Sequence, residues 1–172
     1  MIAELPKSND AGIDRTARRA ARLAAVQAVY QMELTGLDAE AVIAEFLAHR
    51  FRPDIEIAPV GRPDEAFFAD IVRGVPHSQS EIDRAIAQCL ADNWKFSRID
   101  STLRAILRAA TFELIMRPDV PAKSIIDEYL EIAHAFVQDG EVGFVNAALD
   151  RIARVKRGDE MGTVPHDKDP QA

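Results

Sequence analysis

The sequence predicts an all-α protein, and two observations favour helices over strands. Apolar residues recur at intervals of three and four positions in several segments, and none of these segments shows the strict alternation of a half-buried strand. Hydrophobic residues make up 48% of the chain but aromatic residues only 6%, so the apolar content is largely Ala, Leu, Ile and Val, which suits helices. We expect the 172 residues to form one domain with a sizeable core.

The first predicted helix runs from about Asp14 to Leu34, and Gly36 can close it in the left-handed conformation. Asp38 can cap a second helix. Residues 51–62 contain two prolines and a glycine and are expected to form a long irregular connection.

A third helix is predicted to start at Pro63, which suits the first helical position. Ser78 and Glu81 match a capping box at the start of a fourth helix. Cys89 lies in the apolar stripe of that helix, so we expect an inert buried thiol.

The fifth helix is predicted over about Ile99–Met116. The sixth carries two adjacent apolar stripes within residues 125–137, which indicates a central position, and it should pack on the last helix. Residues 1–12 and 156–172 show no sustained apolar period and are expected to be flexible tails on a folded part comprising residues 13–155.

Four arginines share one face of the first helix because they are spaced at i, i+3, i+4 and i+7. They are Arg15, Arg18, Arg19 and Arg22. The same face continues with apolar residues up to Tyr30, so we expect its second half to pack and its first half to project into solvent. Collecting like charges does not stabilise a helix, whereas guanidinium groups suit phosphate. The row predicts an RNA site; the alternative is a solvated face, or pairing with acidic residues elsewhere in the fold.

Arg104 and Arg108 lie roughly opposite the apolar side of the fifth helix and form a weaker candidate for the same role. The net charge of −7 and the isoelectric point near 5.1 exclude a surface that is cationic throughout, so any nucleic-acid site must be local.

The sequence offers no support for catalysis or for a bound cofactor. One cysteine and four scattered histidines leave no metal-ligand pattern, and no glycine-rich phosphate loop or nucleophile elbow is present. No segment has the apolar length of a signal peptide or a membrane span. We therefore expect a soluble cytoplasmic protein that is neither an enzyme nor associated with a membrane.

Several motifs in register resemble the NusB transcription-antitermination family, across about residues 16–154. They are Ala17 to Tyr30, Asn93-Trp94 with Arg98, Ile106 to Leu114, Asp119 to Pro121, Ile126 to His134, and Phe144 to Asp150. The resemblance implies a compact fold of about seven helices in two packed sub-bundles. It also implies binding of single-stranded boxA RNA in nascent ribosomal RNA together with NusE, the small-subunit ribosomal protein, to help the RNA polymerase antitermination complex read through terminators.

The resemblance makes Arg18, Arg19 and Arg22 the leading RNA contacts. Positions that match the family but could equally be structural are Tyr30, Arg108, Phe144 and Asn146. The chain departs from the family at Gly143, where a lysine is common, at Ala147, where a glycine is usual, and at Leu103, where an acidic residue is frequent.

Two alternatives from other classes remain open. A similar helical domain is fused to ribosomal RNA methyltransferases, so this chain could be a detached accessory of such an enzyme. It could also be a protein–protein scaffold or a homodimer in which the arginine row meets an acidic surface.

Overall fold

The structure is a computed structural model that describes residues 10–52, 61–91 and 93–162, and all regular structure in these ranges is helical. The all-α prediction is confirmed. The helices are α1 (Asp10–Thr35), α2 (Ala39–Glu45), α3 (Glu65–His77), α4 (Gln79–Cys89), α5 (Ser101–Met116), α6 (Ala122–Phe136), α7 (Asp139–Lys156) and the short α8 (Gly158–Met161). Two compact units divide the chain, Met1–Pro76 and His77–Ala172.

Parts of the predicted tails and most of the predicted connection at residues 51–62 lie outside the described residues. Where the ranges overlap, the structure extends the helical region. Helix α1 starts at Asp10, inside the predicted N-terminal tail, and α8 follows α7 inside the predicted C-terminal tail.

In the first unit, both predicted caps around the α1–α2 turn are confirmed. Gly36 has a φ of +72°, and its amide donates to the carbonyl of Met32 at 2.9 Å. The Asp38 carboxylate accepts a hydrogen bond from the Ala41 amide at 2.8 Å. These contacts satisfy backbone groups that a helix end would otherwise leave unpaired.

Helix α2 continues into a π turn at Phe46–Arg50, in which the amide of Phe51 donates to the carbonyl of Phe46 at 3.0 Å. This turn brings Phe46 and Phe51 against Phe68 of α3, with ring centroids 4.9–5.9 Å apart. All three rings are buried. The cluster is the aromatic centre of the first unit.

Helix α3 starts at Glu65, two residues after the predicted Pro63. The Asp64 carboxylate accepts from the amide of Phe67 at 3.0 Å, so the acidic residue caps the helix. Just before it, the Asp64 amide donates to the carbonyl of Ala17 at 2.9 Å. The start of α3 is thereby fixed against α1.

In the second unit, α5 is the most enclosed helix, since ten of its 16 residues are buried and it contacts α4, α6 and α7. The prediction that the sixth helix is central is met only in part, because α6 contacts α5, α7 and α8 but is less buried than α5. Helix α6 buries one face, whereas Leu130 is half-buried and Phe136 is exposed. The apolar sector of α6 is therefore wider than the face that the neighbouring helices cover. The predicted packing of α6 on α7 is confirmed.

The capping box predicted at Ser78 and Glu81 is wrong. Only Ser78 separates α3 from α4, and its backbone (φ −109°, ψ 20°) is not the extended conformation of a capping residue; its side chain makes no capping bond. A capping box forms instead at the start of α7, where the carboxylate of Glu141 accepts from the amide of Gln138 at 3.2 Å and the Gln138 side chain accepts in return.

Cys89 is buried, as predicted, and burial raises the pKa of its thiol. Within the described ranges, no three His, Cys, Asp or Glu side chains come together in a way that could hold a metal ion. None of the helices in those ranges has both the length and the apolar character of a membrane span.

Candidate nucleic-acid interface

The four arginines on α1 differ in how far their side chains are exposed. Arg15 and Arg19 are exposed, Arg18 is half-buried, and Arg22 is only 5% exposed. The expectation that all four guanidinium groups face solvent is wrong for Arg22. The projecting part of the row is its first turn and a half.

Phe67 of α3 is the physical reason why Arg18 and Arg22 are less exposed than the other two. The guanidinium groups of Arg18 and Arg22 lie over its ring, 4.8 Å and 4.9 Å from the centroid. An aromatic face attracts a cation, and a desolvated contact of this kind contributes about 2 kcal/mol or more. Phe67 therefore holds two neighbouring cations of the row in fixed positions.

The segment just before α3 passes close to the start of the arginine row on α1. Gly61 has a φ of +81°, and a Cβ atom there would lie 3.2 Å from the side-chain methyl group of Thr16. A larger residue at position 61 would be strained and crowded. This turn delivers α3, and with it Phe67, to the arginine face of α1.

Tyr30 lies on the same helix, beyond the arginines, and is 37% exposed. The structure therefore places five predicted contacts on α1, of which Arg15, Arg19 and Tyr30 are exposed. The other four predicted contacts belong to the second unit: Arg104 and Arg108 on α5, and Phe144 and Asn146 on α7.

Arg104 and Arg108 are half-buried and engaged within the second unit. Arg104 donates to the carbonyl of Ile99 at 2.7 Å and to the Ser101 hydroxyl at 3.2 Å, which ties down the turn before α5. Arg108 makes a forked ion pair with Asp83 of α4, at 2.9 Å and 3.0 Å. The expectation that both project as a second cationic site is not met, and RNA contact by either stays a prediction.

Phe144 is half-buried and stacks on Trp94, with ring centroids 4.7 Å apart and planes tilted by 34°. Trp94 is 47% exposed. The two rings line a cleft of about 460 Å³, together with Arg98, Leu103, Gln138 and Glu141 among others. Asn146 is exposed on α7.

Trp94 and Arg98 belong to one of the motifs that resemble the NusB family, but neither was predicted to contact RNA. The residues that meet here, Trp94 and Phe144, are 50 positions apart in sequence, so helical periodicity carries no sign of the pair. A tryptophan between two predicted helices was the one available signal, because large aromatic residues in loops are usually placed by specific contacts.

The fold and these sites define the class: an all-helical binding protein with a cationic helix face and a partly exposed aromatic pair. A sequence model described as the NusB family matches residues 19–154. The chain therefore belongs to the NusB family.

Curated relatives cover nearly the full length of the chain. The "Transcription antitermination protein NusB" of Maricaulis maris is 51% identical over 158 residues, which are 92% of this chain and 96% of the relative. The protein of the same name from Caulobacter vibrioides is 51% identical over 81% of this chain and 94% of its own length. These names describe a transcription factor and not a catalysed reaction, which agrees with the expectation that the chain is not an enzyme.

Solved structures share the fold. NusB from T. maritima is 32% identical and has a TM-score of 0.65, over 80% of this chain and 90% of its own. A structure titled as antitermination factors NusB and NusE in complex with dsRNA gives a TM-score of 0.67 at 18% identity, over 80% of this chain and 96% of its own. At that identity the likeness shows the fold alone.

Proposed function

We propose that this chain is a transcription antitermination factor that binds boxA RNA in nascent ribosomal RNA together with NusE, and that the pair promotes read-through by RNA polymerase. The observation that carries the proposal is the arginine row of α1, in which Arg15 and Arg19 are exposed while Arg18 and Arg22 are held over Phe67. The names of the curated relatives support the same function. Such a factor acts where transcription occurs, in the cytoplasm.

Arg15, Arg18 and Arg19 are the proposed phosphate contacts. Arg15 and Arg19 are exposed, so a phosphate can reach their side chains from solvent. Arg18 is held over Phe67, which reduces the conformational entropy lost on binding. A guanidinium group fixed in this way donates forked hydrogen bonds to a phosphate at little further cost.

Arg22 has a positioning role in this proposal and does not lead the RNA contacts. Its burial and its place over Phe67 make it part of the support beneath the row. Tyr30 and Asn146 remain proposed contacts because both are exposed. For Arg104 and Arg108 we propose that the structural contacts described above are their main role.

The test is a salt titration of binding to a single-stranded boxA oligonucleotide, with and without NusE. Three phosphate contacts predict a slope of about −2 for the logarithm of affinity against the logarithm of salt, at roughly 0.7 per contact. Replacing Arg15 and Arg19 by glutamine should weaken binding and reduce the slope by about 1.4. The matched control is Arg84→Gln on α4, an exposed arginine of the second unit, which should change neither quantity.

A folded Arg15→Gln/Arg19→Gln protein with unchanged affinity and slope would remove the physical basis of the proposal. Because the distant structural relative is titled with double-stranded RNA, the titration includes a duplex of the same sequence. Stronger binding to the duplex would contradict the single-stranded target.

Assembly with RNA polymerase and NusE is part of the same proposal. The expected result is that NusE increases the affinity for boxA RNA and that transcription past a terminator requires both proteins. Light scattering of the chain alone and with RNA tests the homodimer alternative, in which RNA binding would be accompanied by a fall in mass to that of one protein with one RNA.

A further inference from the structure

Trp94 and Phe144 form an exposed aromatic surface that the phosphate-binding row does not explain. Trp94 leaves 47% of its surface open although its ring stacks on Phe144. Burying an aromatic side chain is strongly favourable, so a tryptophan left half-open beside a cleft provides free surface for a ligand. Trp94 and Phe144 are the aromatic residues that line this cleft.

We propose that this cleft is a subsite for one unstacked RNA base, which stacks on Trp94 while the adjoining phosphate contacts Arg98. The inference deepens the proposed RNA-binding function and rests on it. It adds Trp94 and Arg98 to the interface and gives Phe144 a supporting role beneath the tryptophan ring.

Stacking is the first reason to choose a base. Bases of single-stranded RNA are splayed out and bind on aromatic side chains, and the contact tolerates any base because each has a π face. The Trp94 ring is fixed in a tilted stack by Phe144 at 4.7 Å. A preorganised ring loses little freedom when a base covers it.

The polar lining of the cleft is the second reason. Asp100 and Glu141 each accept one backbone hydrogen bond as helix caps, from Thr102 at 2.9 Å and from Gln138 at 3.2 Å. The acceptor capacity left on a carboxylate can bind the N–H edge of a base. An apolar side chain of a protein partner would instead desolvate these carboxylates without replacing their hydrogen bonds.

The distribution of charge indicates which part of a nucleotide would lie inside the cleft and which part at its edge. Two carboxylates in the cleft disfavour an anion inside it, whereas the Arg98 guanidinium is exposed and makes no hydrogen bond or ion pair with any residue that the structure describes. Arg98 is therefore available to a phosphate at the edge of the cleft. A nucleotide fits this arrangement with its base inward and its phosphate outward.

The experiment uses Trp94 as its own reporter, since it is the only tryptophan in the chain. The full-length protein is titrated with single-stranded boxA RNA while tryptophan fluorescence is recorded, and the series is repeated with an abasic nucleotide at each position in turn. We expect quenching that saturates with RNA binding and is lost when one or two particular bases are absent. Quenching that does not depend on the abasic position would overturn the assignment.

Substitutions give a second readout. Trp94→Ala should weaken RNA binding roughly fivefold to 150-fold, the range found for one stacked base, and Trp94→Phe should weaken it less. Phe136→Ala is the matched control, because Phe136 is exposed to the same extent, 48%, and makes no ring contact with another described aromatic residue. Moving the reporter, with Phe136→Trp in the Trp94→Phe background, should abolish the quenching.

The outcomes separate this inference from the function on which it rests. If Trp94→Ala binds RNA normally and fluorescence does not change while the arginine variants weaken binding, the base subsite is wrong and the proposed function stands. If NusE alone changes Trp94 fluorescence and RNA does not, the cleft belongs to a protein partner and the inference is overturned. If the chain binds no boxA RNA under any condition, both fail.

Discussion

The guanidinium group of Arg157 donates a hydrogen bond of 2.8 Å to the backbone carbonyl of Leu114, near the end of α5. The same side chain donates to the carbonyls of Glu113, Arg117 and Val120. It therefore adds hydrogen bonds to the last turn of α5 and to the turn that follows it, where the helix ladder of backbone hydrogen bonds ends. A residue just beyond α7 completes the C-terminal end of α5.

Arg157→Ala should lower the free energy of unfolding by about 2–4 kcal/mol, because it removes four part-buried, charge-assisted hydrogen bonds to backbone carbonyls. Arg157→Lys should fall in between, since an ammonium group cannot reach all of these acceptors at once. Urea denaturation measures both. Arg154→Ala is the control: its i, i+4 pair with Asp150 is exposed, so its loss should cost less than about 0.5 kcal/mol. Equal losses at positions 154 and 157 would contradict the capping role.

The forked ion pair between Arg108 and Asp83 joins α5 to α4. Substituting each partner tests whether Arg108 stabilises the fold or contacts RNA. Arg108→Gln and Asp83→Asn should destabilise the fold by similar amounts, about 1–2 kcal/mol, and the double variant should cost less than their sum. RNA affinity should be unchanged in both folded variants. A loss of affinity in Arg108→Gln alone would make Arg108 an RNA contact after all.

Two exposed glycines should respond oppositely to alanine. Gly143 lies inside α7 and a Cβ atom there would meet nothing within 4 Å, whereas Gly36 is equally open but has a φ of +72°. Gly143→Ala should raise the free energy of unfolding by about 0.5–1 kcal/mol, and Gly36→Ala should lower it by about 1 kcal/mol. Thermal denaturation distinguishes the two signs. A destabilising Gly143→Ala would mean that the open space is occupied in the working protein.

The thiol of Cys89 should react slowly with disulfide reagents in the folded protein. Burial raises its pKa, so at a given pH less of the reactive thiolate is present than in the unfolded chain. The reaction near pH 8 should be slower than in denaturant and should accelerate as the pH rises. Because the folded state holds this proton more tightly, its contribution to stability is present below the ordinary thiol pKa and is lost above it. An equal rate in the folded and unfolded protein would contradict the buried placement.

Features encoded by neighbouring residues could be predicted from the sequence. The extent of α5 and the caps at Gly36 and Asp38 depend on periodicity and on residues within one turn, and the structure confirms them. The capping box at Ser78 failed because α3 continues through Pro76 and leaves no room for an extended residue. A capping motif in the sequence forms only if the neighbouring helices leave its first residue free to adopt the extended conformation.

The expected exposure of the candidate site residues was wrong where their partners are distant in sequence. Burial of Arg22 depends on Phe67, and the pairing of Arg108 depends on Asp83, which lies 25 positions away. Periodicity states which face a side chain occupies, not what covers that face. The arginine row could thus be found from the sequence, but its division into exposed and anchored members could not.

The π turn after α2 has a consequence for the length of the chain. A π turn holds one residue more than an α turn, and here that extra residue aims Phe51 at Phe46 and Phe68. Deleting one residue from the turn would restore regular α geometry and rotate Phe51 by about 100° around the axis, out of the cluster. The number of residues in this stretch therefore determines whether Phe51 reaches the aromatic cluster. A single deletion should lower the free energy of unfolding more than most side-chain replacements nearby.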